Sequence, residues 1–172
     1  LLGVVLSTKF RTTPAWDRLR RSAAWQRVPL RVRAVSVYQL HNWTAYAALA
    51  VALVHPLLLL LDQKGRFSLL NIVAPFTGPH QRYVYTLGAV ALYGLLVAVL
   101  TSTVVVRRWL SNRVWTWVHL VSYGAASLFL VHGLMADPLL LDRPVDFLDA
   151  EKLLSEAGIV LLVAAVVYRV RY

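Results

Sequence analysis

Three apolar runs of membrane-crossing length divide this chain: Trp43–Leu61, Val84–Val106 and Val114–Met135. Crossing a hydrocarbon layer of about 30 Å takes roughly 20 predominantly apolar residues in a helix, so each run predicts a transmembrane helix. A shorter run, Leu153–Tyr168, carries Ser155 and Glu156 near its start and predicts a fourth. The opening residues, Leu1–Ser7, are apolar with no charged segment before them, and read as the tail of a further helix whose beginning lies outside this chain. Polar stretches fall between the runs. Residues 62–83 contain Gly65, Pro75, Gly78 and Pro79 and, like 137–150, are long enough to be partly folded over the membrane surface. The pattern predicts an all-α integral membrane helical bundle, with residues 1–172 as a single domain.

The charges between the runs set an orientation. Residues 9–33 hold eight Lys and Arg, the turn 107–113 holds three, and Arg169 and Arg171 close the chain, thirteen in all. The opposite connections hold five, together with seven of the eight acidic residues. The positive-inside rule places the basic connections and the C-terminus in the cytoplasm, and the expected setting is a bacterial cytoplasmic membrane. This distribution also disposes of nucleic acid as the partner behind the net charge of +10, because the basic residues punctuate apolar runs and form no stripe on a soluble face. The segment from Trp16 to Arg33 mixes aromatic and basic residues and is expected on the inner membrane surface, in contact with lipid, with Pro14 and Pro29 limiting helix there. Trp43, Trp109, Trp115 and Trp117 fall near the expected interfaces, where indole rings serve as anchors.

Composition narrows the chemistry. The 172 residues are 59% hydrophobic with a mean hydropathy of +0.61, too apolar for a soluble domain. No cysteine is present, which excludes disulfides, iron–sulfur clusters, thiolate-bound zinc and a thiol nucleophile. Any metal must be held by nitrogen or oxygen.

Four of the five histidines lie within or at the edge of the apolar runs as two spaced pairs, His41 with His55 and His119 with His132. Ionisable side chains at membrane depth are costly and mark functional sites. Fourteen residues of helix give about 21 Å of rise and thirteen give about 19.5 Å, so the two pairs nearly match. One run separates the two helices, which therefore cross in the same direction; His41 lies level with His119 near the cytoplasmic face, and His55 level with His132 near the outer face. Two imidazoles facing each other at one depth are what a porphyrin iron needs, and two depths imply two b-type haems with bis-histidine iron. Phase supports one pair and strains the other. Fourteen steps bring His55 within about 40° of His41, whereas thirteen leave His132 about 140° from His119, which calls for unwinding, a bend or ring rotation near Gly124 or Gly133. Pro56 leaves the Ala52 carbonyl without its helical donor, so that carbonyl is either a partner for the His55 Nδ1 proton or the site of a plain kink.

Other polar residues are candidates for contacts at the edges of such a site. Arg33, Arg108 and Arg113 fall near the inner level, where guanidinium groups pair well with haem propionates. His80 and Arg82 stand together in the outer connection as a possible outer-site pair.

The double histidine spacing, with Leu100-Thr101-Ser102 closing the intervening run and Trp109 ahead of the second pair, resembles the ferric reductase-like transmembrane domain. That superfamily includes ferric reductases, NADPH oxidases and the haem-binding subunit of the periplasmic methionine sulfoxide reductase system. The resemblance spans essentially the whole chain and implies a six-helix haem-binding bundle whose first helix is missing or truncated here. It implies that His41 with His119 ligate an inner haem and His55 with His132 an outer one. It further implies FAD and NAD(P)H, but these residues contain no Gly-rich dinucleotide fingerprint, so both would come through a missing domain or a separate cytoplasmic flavoprotein reductase.

The expected function is transmembrane electron transfer, from such a reductase to an outer-side acceptor that is ferric iron, dioxygen or a periplasmic redox partner. The chain would be the membrane cytochrome b component of an oxidoreductase and would hold no catalytic residue of its own. The competing expectation is a redox-inactive transporter or assembly subunit with its histidines on a proton path. Against it stands the distribution of carboxylates, all of which fall in connections or at helix ends.

Overall fold

A computed structural model of the chain describes residues 14–62, 65–137 and 152–171, and every regular element among them is helical. The Leu1–Ser7 stub and nearly all of the 137–150 connection lie outside the described residues. Among the described residues, three helices are long and apolar enough to cross a membrane. Contacts divide the described residues into two units, 14–46 with 161–171, and Ala47–Val160.

The first unit opens with short helices, α1 (Pro14–Arg21), α2 (Ala23–Gln26) and α3 (Leu30–Ala34). The two prolines expected to limit helix instead help start it. Pro14 occupies the first helical position, where its missing N–H costs nothing, and the Pro29 carbonyl accepts from the Arg33 amide at 3.1 Å. Between them the Ser22 hydroxyl caps α2 by accepting from the Trp25 amide at 3.2 Å. Trp16 and Trp25 meet edge to face, their ring centres 5.5 Å apart.

Helix α4 (Val37–Leu57) begins six residues before the apolar run does. The cause is a polar pair: Ser36 Oγ accepts from the Gln39 amide at 3.0 Å, and Gln39 Oε1 accepts from the Ser36 amide at 3.1 Å. This reciprocal cap satisfies two orphan donors and sets the start independently of hydrophobicity. The helix passes through Pro56 and then tightens into a 3-10 turn, Leu58–Leu61.

The connection leading from α4 to the next long helix is folded. Ser68 and Asn71 form a second capping box at α5 (Leu69–Val73). The Phe76 amide donates to the buried Thr86 hydroxyl at 2.8 Å, which ties the connection to α6 (Arg82–Ser102). At the same end, the Gln81 side chain exchanges hydrogen bonds of 3.0 and 2.9 Å with the backbone of Asp137.

The sequence run Val84–Val106 does not form one helix. Helix α6 stops at Ser102, and a separate turn, α7 (Val104–Arg107), follows extended Thr103. Three consecutive hydroxyls turn back on their own helix, from Thr101 to the Val97 carbonyl, Ser102 to Ala98 and Thr103 to Leu100, at 2.6 to 2.7 Å. Such bonds compete with the helical ladder and close it. Helix α8 (Asn112–Met135) starts at a Ser111 cap and runs unbroken through Gly124.

α6 and α8 pack closely because their facing positions are small. Ala91, Ala98, Val99 and Ala125 are buried, and a Cβ on Gly94 would lie 3.1 Å from that of Ala125. The expected fourth run forms α9 (Leu153–Arg171). Its Ser155 and Gly158 approach Gly133 and Leu130 of α8. By contrast, α4 has no buried residue.

Candidate functional site

The inward positions of α4 face space and not side chains. Within the unit Ala47–Val160 lies a cleft of about 670 Å³, lined by α4, α6, α8 and the connection between α4 and α6. Ala47, Ala48, Val51 and Ala52 line it from α4, and Gly88, Ala89, Ala125 and Ala126 from the other two spans. Protein interiors are packed to crystal-like density, so a gap of this size walled by small residues is a place for a ligand. His55 of α4 and His132 of α8 both line it.

The His132 ring is fixed from behind. Its Nδ1 lies 2.8 Å from the Val84 carbonyl oxygen, which can only accept, so Nδ1 carries the hydrogen and the lone pair resides on Nε2. Gly88 makes that approach possible: a Cβ there would lie 3.0 to 3.2 Å from three atoms of the imidazole. Tyr85 stands edge-on to the ring with centres 6.2 Å apart, and also meets Phe67, of the connection between α4 and α6, at 4.9 Å. Both aromatic residues line the cleft.

His119, two turns into α8, is held by a different set of groups. Its Nδ1 lies 3.2 Å from Ser102 Oγ, and the Trp115 ring stacks on it at 4.8 Å with the planes 19° apart. The Trp115 indole N–H also reaches Ser102, at 3.3 Å, and the Arg107 guanidinium lies 4.8 Å above the same indole. Trp115 is therefore a support for His119. Trp43, Trp109 and Trp117 are 73, 78 and 69% exposed. The phase difference between His119 and His132 is absorbed without a break in α8, since both rings rest on α6, one at Ser102 and the other at Val84.

His41 is half-buried on α4, in the first unit. Arg33, in that same unit, has a buried Nε that no group among the described residues accepts from. Arg108 lies over the Trp109 ring at 5.8 Å, and Arg113 is exposed at the start of α8. Arg82 is exposed, donates to the Tyr83 hydroxyl at 3.2 Å and covers its own neighbour's ring. The His80 ring centre lies 6.4 Å from that of Phe67, which lines the cleft. No group of three or more His, Asp or Glu side chains converges among the described residues.

The sequence reading missed Gly88, Tyr85, Phe67, Ser102, Trp115 and Arg107 as parts of the site. A signal existed for Trp115, which precedes His119 by one helical turn. None existed for the Val84 carbonyl, since backbone atoms carry no residue-type signature.

The family described as the ferric reductase like transmembrane component matches residues 19–130. No curated protein and no solved structure matches the chain.

Proposed function

This chain belongs to the ferric reductase-like transmembrane family, and from that premise we propose that it conducts electrons across the membrane through two b-type haems. His55 and His132 would hold the outer haem; the observation that carries this is their presence on two different helices in one apolar cleft of about 670 Å³. The donor set fits the group. An unprotonated Nε2 on His132, two imidazoles in place of a larger ligand cluster, and small residues along the walls suit a flat macrocycle bound at both axial positions.

His41 and His119 would hold the inner haem, on the strength of their matched depth in the sequence and of the family pattern. The orphaned Arg33 Nε suits a propionate partner at that level. Haem iron, when bound, supplies a one-electron ferric–ferrous couple. The protein's own contributions are to fix ring planes and tautomers, to exclude water with alanine and leucine walls, and to bring aromatic Tyr85 and Phe67 beside the outer level. Reducing equivalents would arrive from a cytoplasmic flavoprotein that uses FAD and NAD(P)H, and leave to an acceptor on the outer side.

Optical spectra of reduced and oxidised protein, with pyridine haemochrome quantification, test this directly. Two b-type haems per chain are expected, and His132→Ala should remove the outer one preferentially. Purified protein that is folded, helical and free of haem would sink the reading.

A further inference from the structure

Helix α6 contains no histidine, yet both histidines of α8 are held by it. At His132 the support is a backbone carbonyl; at His119 it is the side chain of Ser102, whose bonding is more tightly constrained. Ser102 Oγ lies 2.7 Å from the Ala98 carbonyl oxygen. A carbonyl has no hydrogen to give, so the single hydroxyl proton of Ser102 lies on that bond. Ser102 Oγ is left with lone pairs only, and both remaining neighbours must donate to it: the Trp115 indole N–H at 3.3 Å and His119 Nδ1 at 3.2 Å. The His119 hydrogen is therefore on Nδ1, and its lone pair is on Nε2, the atom that would take iron. Trp115, stacked on the imidazole and tied to the same oxygen, sets the plane of the ring.

We propose that Ser102 is a positioning residue for the inner haem: it fixes His119 in the Nδ1–H form, sets its ring plane with Trp115, and raises its strength as an iron ligand. The inference rests on the two-haem reading above. A hydrogen bond from Nδ1–H pushes electron density toward Nε2 and favours ferric over ferrous iron. Losing such a partner costs about tenfold in affinity; with that loss falling on the ferric form, the ferric-to-ferrous affinity ratio drops tenfold, which for a one-electron couple is about 59 mV.

The test is redox potentiometry and electron paramagnetic resonance on the haem-loaded protein with Ser102→Ala and Ser102→Thr. Ser102→Ala should raise the inner midpoint potential by about 59 mV and move the inner low-spin g-values, leaving the outer haem unchanged. Ser102→Thr, which keeps the hydroxyl, should restore both. Selective loss of the inner haem in Ser102→Ala with retention in Ser102→Thr also supports the assignment. An unchanged inner potential, equal effects of the two variants, or loss of both haems without rescue by threonine overturns it. Wild-type protein without haem would instead overturn the functional reading. In that event the haem-positioning role falls with it, and nitrogen-15 histidine spectra of the haem-free chain test what remains: Nδ1–H His119 that depends on Ser102 supports the tautomer assignment, and any other form overturns it.

Discussion

A missing side chain governs the surroundings of His132. Gly88 lets the His132 imidazole come within 2.8 Å of the Val84 carbonyl, because any Cβ at 88 would crowd three ring atoms at once. Gly88→Ala should push the ring off its carbonyl and lower outer-haem affinity by about tenfold, with the inner haem retained. Haem titration of the purified variant reads this, and an unaltered outer affinity would show that the carbonyl contact does not matter. At His119 the equivalent support is a hydroxyl, so the two α8 histidines reach the same tautomer by different chemistry. In the sequence, Gly88 was visible only as a small residue in an apolar run, and Ser102 only as the last residue of the Leu100-Thr101-Ser102 segment that closes it.

At the scale of elements, α6 acts as a scaffold for both histidines of α8. Its small residues let it lie close to α8, with Gly94 against Ala125 and Val121. Gly94→Leu would force extra volume into that contact and should destabilise the bundle by about 1–3 kcal/mol. Thermal unfolding in detergent should detect this, whereas Val90→Leu, at a position 42% exposed, should leave the midpoint unchanged. An equal effect at both positions would argue against close packing of α6 on α8. Helix existence followed from the apolar runs, but helix ends did not. Hydroxyl and amide caps at Ser36, Ser68 and Ser111 and the three hydroxyls at 101–103 moved the boundaries, because termini are decided by hydrogen-bond partners and not by hydropathy.

For the molecule as a whole, direction depends on which side each connection occupies. The asymmetry of thirteen basic residues against five predicts a cytoplasmic face for α1 to α3 and an outer face for the connection containing α5. The absence of cysteine makes single-cysteine labelling clean. With a membrane-impermeant maleimide on intact cells, Pro79→Cys should react and Gln26→Cys should react only after lysis. The reverse pattern would invert the proposed direction of electron flow.

The sequence alone determined that this is a membrane-spanning helical protein, where its spans lie, and that two histidine pairs stand at matching intervals. These are properties of hydropathy and of a constant rise per residue, both local and both written in the order of residues. Only the tertiary structure decided what stands behind each imidazole. The Val84 carbonyl, the space left by Gly88 and the Ser102–Trp115 pair become neighbours of the histidines through the packing of α6 on α8. For His132 the partners lie more than forty residues away in the chain. Contacts of that kind depend on the approach of two helices, which no periodicity within either one specifies.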